Sequence, residues 1–167
     1  MARIARIVIP GCPHHVTQRG NHRRPVFFAD SEREFCLSPQ KRYFLLRKVR
    51  CLGYALMTNH THHVLVPGRL DSLARGVGKL NNDYSRWQNI QRGLTGHLWQ
   101  DRFFSCPLED DHFWQALRHV ELNPVRAGLV KYAWEWPWSS AMAHVTGIGH
   151  AALLDMDIWR RRFTGDE

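Results

Sequence analysis

The 167-residue sequence has no apolar run of about 18 residues and no secretory leader, which argues against a membrane span and against export. Its four cysteines show no C-x-x-C pair, the spacing that many structural zinc sites and redox motifs use. It also lacks an internal repeat, a low-complexity tract and a linker. These absences predict a cytoplasmic protein with free thiols that binds no membrane and folds as a single domain over residues 1–167.

Acidic side chains are scarce: 15 Asp and Glu stand against 23 Lys and Arg, so the formal net charge is +8. An excess of positive charge favours a polyanionic partner, and nucleic acid is the simplest one. The alternative is a basic protein without such a partner. Hydrophobic residues make up 44% of the chain, with seven Trp and eight Phe, which is enough to form a core.

The hydrophobic patterns predict, in order, a strand, a helix, two strands, a helix, a strand and a helix. Pro39 should split the first helix, and Pro124 should end the last one. The middle strands meet at a polar turn near 58–59, and a fourth strand is expected over 96–105. This order indicates an α+β fold of the ferredoxin-like split βαβ type, an antiparallel sheet with helices on one face, with a helical tail from about residue 136.

The strand after the polar turn begins with a cluster of histidines. Since side chains alternate between the two faces of a strand, His60 and His62 point one way while Thr61 and His63 point the other. Two imidazoles on one face can bind one divalent ion. An H-x-H motif alone is a weak signal, and histidines that only form hydrogen bonds at a strand end are the alternative.

Two further groups of residues have the chemistry to bind a nucleic acid. A basic polar loop follows the first strand and contains Arg19, Asn21, Arg23 and Arg24, which either bind phosphates or are simply solvated. Aromatic residues near the fourth strand either stack the bases of a single strand or belong to the core. They are Trp99, Phe103 and Phe104.

Four motifs follow one another in a recognisable order. They are GYALMTNHTH at 53–62, TGHLWQDRF at 95–103, LNPVRAGLV at 122–130 and WPWSS at 136–140. The earlier RGN and PVFF sequences fit the same pattern. Over about residues 10–145, the chain resembles the REP-associated tyrosine transposases, relatives of the single-strand DNA transposases of the HUH class.

The resemblance implies that His60 and His62 bind Mg²⁺ or Mn²⁺ and that Asn123 helps to complete the metal site. In that family a tyrosine four residues before the asparagine position attacks a DNA phosphate, which forms a covalent 5′-phosphotyrosine and frees a 3′-OH. The implied partner is single-stranded or hairpin DNA, usually a short hairpin with a flanking tetranucleotide, bound by a monomer or a homodimer. The predicted DNA contacts are Arg19, Asn21, Arg23, Arg24, Arg102 and Arg126.

The sequence departs from the family at the nucleophile, because the expected tyrosine position holds His119. A natural loss, an introduced substitution, attack by the imidazole itself and a third metal ligand are all open interpretations. The predicted function is metal-dependent nicking and strand transfer of single-stranded or hairpin DNA, impaired or lost through His119. The alternatives are a non-catalytic hairpin DNA- or RNA-binding protein and a metal hydrolase that uses three histidines.

Overall fold

The structure, a computed structural model, describes residues 6–164, and the two ends of the predicted domain, 1–5 and 165–167, lie outside the described part. One sheet contains the strands β1 (His14–Arg19), β2 (Val49–Leu56), β3 (His60–Pro67) and β4 (Phe104–Pro107). The α-helices are α1 (Asp30–Leu37), α2 (Gln40–Leu46), α3 (Ser72–Arg92), α4 (Asp110–Arg126), α5 (Ala141–Thr146) and α6 (Asp157–Thr164). Short 3₁₀ helices lie at Asn21–Arg23, Ala133–Glu135 and Ala151–Leu153.

The strands lie in the order β2-β3-β1-β4, and each neighbouring pair is antiparallel. Strand β3 therefore lies between β1 and β2, which is the split βαβ arrangement, and the predicted α+β fold class is confirmed. In this register Thr17 of β1 lies opposite His62 of β3 on one side and opposite Phe104 of β4 on the other. The register decides which side chains share a face with the histidine pair.

The two strands of the hairpin, β2 at the edge of the sheet and β3 inside it, are buried along almost their whole length. One face of the sheet packs against α1, α2 and α3, and Leu65, Leu80 and Tyr84 belong to the hydrophobic cluster between them. The opposite face packs against α4, with Val64 and Leu117 in a second cluster. Helices α1 to α3 lie on one face, as predicted. Helix α4 lies opposite because strands that are apolar on both sides need cover on both.

The two prolines that interrupt helical patterns behave differently. The split at Pro39 is confirmed, since α1 and α2 are separate helices on either side of it. The predicted end at Pro124 is wrong, because α4 continues to Arg126. A proline in the last turn removes a single N–H donor, and Ala127 N still donates to Asn123 O at 2.9 Å.

The fourth strand is shorter than predicted, since regular pairing begins at Phe104 and not near residue 96. The preceding residues pack against α3 instead, where Trp99 Nε1 donates to Asn81 O at 2.9 Å. A single isolated bridge joins Trp99 to Gly20 at the end of β1. The predicted strand is therefore interrupted between Trp99 and Phe104: Gln100 N still donates to Arg19 O at 2.9 Å, while the Trp99 side chain is held on α3.

After residue 136 the chain forms α5 and α6, which pack beside α4. His144 of α5 stacks on Trp159 of α6, with the ring centroids 4.2 Å apart. Trp159 also packs against the cluster under α4. None of the helices in the described part is long and apolar enough to cross a bilayer.

Candidate metal and DNA site

Two histidines stand side by side at the start of β3, on the face that α4 covers. His60 and His62 have ring centroids 4.8 Å apart, and His62 is buried while His60 is half-buried. The alternation of the strand turns His63 to the opposite face, where its Nε2 lies 3.1 Å from Gln40 Oε1 in the core. The structure therefore groups the first two rings and separates the third histidine from them.

Burial keeps both of these rings neutral. It lowers the pKa of His60 to about 4, with a further contribution from the Arg19 charge. It lowers the pKa of His62 to about 2, and the neighbouring histidines, His60 first, add to this effect. Nδ1 of His60 lies 2.6 Å from Asn59 Oδ1, so Nδ1 carries the hydrogen and Nε2 keeps a lone pair. A neutral ring oriented in this way is the form in which histidine binds a metal.

His15 on β1 also belongs to the cluster, although it is not among the predicted site residues. Its Nε2 lies 2.9 Å from Nδ1 of His62, and the two rings are parallel within 5°. When His62 donates this hydrogen bond, its own Nε2 keeps the lone pair that a metal requires. The alternation of β1 gives the face of His15, but only the pairing of Thr17 with His62 brings the rings together. No local signal in the sequence fixes that pairing.

Helix α4 brings His119 to the same cluster, with its ring centroid 6.0 Å from that of His62 and 6.2 Å from that of His15. Nη1 of Arg126 donates a hydrogen bond to Nδ1 of His119 at 2.5 Å. Burial, and then the charge of Arg126, lower the pKa of His119. A neutral ring that accepts at Nδ1 carries its hydrogen at Nε2. In this arrangement His119 is therefore suited to donate a hydrogen bond to an anion, and not to attack phosphorus or bind a metal.

Asn123 lies one turn beyond His119, is partly buried, and donates from Nδ2 to the His119 carbonyl oxygen at 2.8 Å. Within residues 6–164, no group of three or more His, Cys, Asp or Glu side chains is placed to hold a metal ion. The donors in question are instead two imidazoles and an amide. These are fewer protein ligands than the four that close a structural zinc site, so an ion bound here would keep open positions for water or for a phosphate.

The predicted DNA-binding loop docks beside His60. Arg19 lies opposite His60 in the register, and the N–H of Gly20 donates at 2.8 Å to the turn between β2 and β3. Gly20 leaves no room for a side chain, because a Cβ there would lie 2.4 Å from the carbonyl oxygen of Arg24. Arg23 and Arg24 are exposed. The loop therefore presents its positive charge next to the histidine cluster.

The remaining predicted DNA contacts lie in two places. The N–H of Asn21 donates at 2.8 Å to the segment that precedes β4, which ties the basic loop to that segment. Arg126 lies at the cluster through its bond to His119. Arg102 instead lines a groove of about 590 Å³ on the α3 side, where it neighbours Arg6. The basic loop and Arg126 thus flank the histidines, and Arg102 belongs to another surface.

Comparison with known proteins identifies related sequences and folds. The sequence matches the family described as "Transposase IS200 like" over residues 9–122, more than half of the chain. A solved structure of a REP-associated tyrosine transposase bound to a REP hairpin has a TM-score of 0.68 and 18% identity, over 94% of this chain and 90% of that one. A Deinococcus radiodurans protein described as a transposase has a TM-score of 0.48 and 13% identity, over 72% of this chain and 96% of that one. No curated protein matches the sequence.

The family match includes the basic loop, the histidine pair and His119, while Asn123 and Arg126 lie just beyond it. The likeness to the REP-associated transposase shows a common fold along nearly the whole chain. The sequence motifs, the fold and the family match all agree on one assignment. The chain belongs to the IS200-like transposase family.

Proposed function

We propose that this chain binds hairpin or single-stranded DNA at a divalent metal site of the HUH type, and that His119 impairs strand nicking. The observation that carries the proposal is the neutral pair His60 and His62, which lies between an exposed basic loop and the helix position expected to hold the nucleophile. The net charge of +8 supports a polyanionic partner. Membership of the REP-associated group is part of the proposal, since the similar structure holds a REP hairpin.

The proposal assigns metal binding to three side chains and DNA binding to a set of basic and polar ones. His60 and His62 hold Mg²⁺ or Mn²⁺, and Asn123 is the third protein ligand. A bound ion supplies positive charge that stabilises the charge developing on the phosphate oxygens during cleavage. Basic and polar side chains hold the DNA backbone. At the histidine cluster they are Arg19, Asn21, Arg23, Arg24 and Arg126, and Arg102 contacts the DNA from its separate surface on the α3 side.

Cleavage requires a nucleophile at position 119, and the surroundings of His119 oppose that role. Arg126 occupies Nδ1, and Nε2 carries a hydrogen, so attack would require the loss of that hydrogen bond or of that proton. The Nε2–H group can instead donate to a phosphate oxygen. The same contact favours a second candidate function, a non-catalytic hairpin-binding protein, which predicts that DNA affinity does not depend on His60 and His62 even when Mn²⁺ is present.

The double variant His60→Ala/His62→Ala is expected to lose Mn²⁺ binding, because both nitrogen ligands are gone. Its affinity for a hairpin in EDTA should be unchanged and should fall steeply with salt, since basic residues supply it. Mn²⁺ binding is measured by electron paramagnetic resonance, and hairpin binding by filter binding over a salt series. His112→Ala is the matched control, because that side chain is 65% exposed on α4.

Two outcomes would change this proposal. Unchanged Mn²⁺ binding by the double variant would remove the metal site from it. The non-catalytic function would be favoured if the unmodified protein bound the hairpin with the same affinity in Mn²⁺ and in EDTA and cleaved no strand in either.

His15 is expected to orient His62 for metal binding. The change His15→Phe keeps the ring shape but removes the acceptor, so Mn²⁺ affinity should fall about 10- to 100-fold. The change His15→Gln supplies an amide oxygen that can accept the same bond, so part of the affinity should return. Titration calorimetry with Mn²⁺ measures both effects, and hairpin affinity in EDTA should be equal in all three proteins. A phenylalanine variant that binds Mn²⁺ normally would show that His62 needs no partner.

A further inference from the structure

The sheet face that carries His60 and His62 is covered unevenly. Helix α4 packs on β2 and β3, where Val64 is fully buried beneath it. On the β1 and β4 half of the same face, side chains reach solvent: Thr17 is partly buried, and Phe104 is 62% exposed. The histidine pair therefore lies at the border between the covered half and an open half of the sheet.

Phe104 is on the same face as the histidine pair. Directly opposed residues of antiparallel strands project to the same side, and Thr17 is opposed by His62 and by Phe104. The three side chains thus form a row across β3, β1 and β4. Two strand spacings separate Phe104 from His62, about 10 Å, which is close to the length of three stacked nucleotides at ~3.4 Å each.

Phe104 differs from the other two predicted stacking residues, Trp99 and Phe103, in its exposure. Phe103 is 6% exposed, and the guanidinium of Arg6 covers its ring at 3.8 Å. Trp99 packs against Tyr84 and is held by its indole N–H. Phe104 alone of these three has a largely exposed ring. An exposed aromatic ring on an uncharged edge strand also invites aggregation, so its presence there calls for a functional reason.

One side of α4 borders this open half-face. A groove of about 750 Å³ runs between Leu108, which follows β4, and the outer side of the helix. Its lining includes the exposed residues Arg118 and Arg126 as well as His119. The groove is linked to Phe104 through His119, whose ring centroid lies 6.0 Å from that of His62, and His62 is in one row with Phe104. Arginines and an exposed aromatic ring along one path are a combination that binds single-stranded nucleic acid, because the backbone contacts cations and the bases stack.

We infer that the half-face of β1 and β4, together with the α4 groove, is the track for the single-stranded segment next to the hairpin. Phe104 stacks on a base of that segment, and Arg118 and Arg126 hold its phosphates. The inference rests on the proposed function for the identity of the DNA, and it adds a binding surface and a base-stacking residue to it. The sheet of a four-stranded α+β domain is well suited to this use, because its exposed face can carry aromatic platforms.

The test compares two labelled oligonucleotides in EDTA: a blunt hairpin, and the same hairpin with a single-stranded extension. Phe104→Thr removes the ring but keeps a residue that favours strands, and it should weaken binding of the extended oligonucleotide roughly 5- to 150-fold. Binding of the blunt hairpin should be unchanged. Phe104→Trp should retain the affinity. Ile90→Ala, which removes an apolar side chain 73% exposed on α3, is the control.

Fluorescence of 2-aminopurine placed at each position of the extension locates the stacked base, which should be quenched by the unmodified protein and not by Phe104→Thr. Equal affinity of Phe104→Thr and the unmodified protein for the extended oligonucleotide would overturn the inference. An equal loss for both oligonucleotides would do the same, since it would indicate a structural effect. Because this binding is measured in EDTA, its result does not depend on the metal site. Mn²⁺ binding tests the proposed metal site, and the affinity of Phe104→Thr for the extended oligonucleotide tests the track.

Discussion

Replacing His119 with tyrosine is expected to give the chain a strand-nicking activity that the unmodified protein lacks or has only weakly. A phenol supplies an oxygen nucleophile and reaches further from α4 than an imidazole does, at a position whose present ring centroid lies 6.0 Å from that of His62. The gain should be on the order of 10³-fold or more, because the covalent nucleophile itself is being supplied. A labelled hairpin with a single-stranded extension, incubated in Mn²⁺, should form a protein–DNA adduct that survives denaturing electrophoresis.

The controls for this experiment separate the hydroxyl from the ring. His119→Phe supplies an aromatic ring without a nucleophile and should give no adduct. His119→Tyr combined with His60→Ala should also give none, because the metal site would be incomplete. An adduct formed equally well by the unmodified protein would show that the imidazole is itself competent. If the tyrosine variant binds Mn²⁺ and DNA normally but forms no adduct, the proposed active site is wrong.

Much of the fold follows from local patterns. The alternation of a strand places His60 and His62 on one face, and it turns His63 into the core. The 3.6-residue period gives α3 and its buried stripe, which includes Leu80 and Tyr84. The contact between Arg126 and His119 is also local, since residues seven apart lie on the same side of a helix. That spacing was available in the sequence and would have revealed the pair.

The rest of the site depends on contacts between distant parts of the chain. His15 meets His62 across 47 positions, and a shift of one residue in the pairing of β1 would turn its side chain to the other face. The exposure of Phe104 depends on where α4 crosses the sheet, which no local pattern reports. The same limit explains the fourth strand, because the indole of Trp99 finds its partner on α3. Sequence periodicity predicts which face of a strand or helix carries a residue, but contacts between distant segments determine which residues lie next to it.

Replacing Glu121 with alanine is expected to destabilise the fold by about 2–5 kcal/mol, because two buried hydrogen-bond donors lose their acceptor at about 1–3 kcal/mol each. Glu121 is 8% exposed on α4, and one carboxylate oxygen accepts hydrogen bonds from Ser140 Oγ and from His144 Nδ1, both at 2.5 Å. Ser140 Oγ in turn accepts from the N–H of Tyr54 on β2 at 3.1 Å. The carboxylate therefore joins α4, α5 and the sheet, and its loss leaves two buried donors without an acceptor.

Urea unfolding measures this loss, and matched variants identify its cause. Glu121→Gln keeps an oxygen acceptor and should cost less than the alanine variant, under about 2 kcal/mol. Glu34→Ala, which removes an exposed carboxylate from α1, should stay within about 0.5 kcal/mol of the unmodified protein. Because Glu121 lies two residues from Asn123, the proposed third metal ligand on α4, the alanine variant should also weaken Mn²⁺ binding. An alanine variant as stable as Glu34→Ala would show that α4 is held by its apolar face alone.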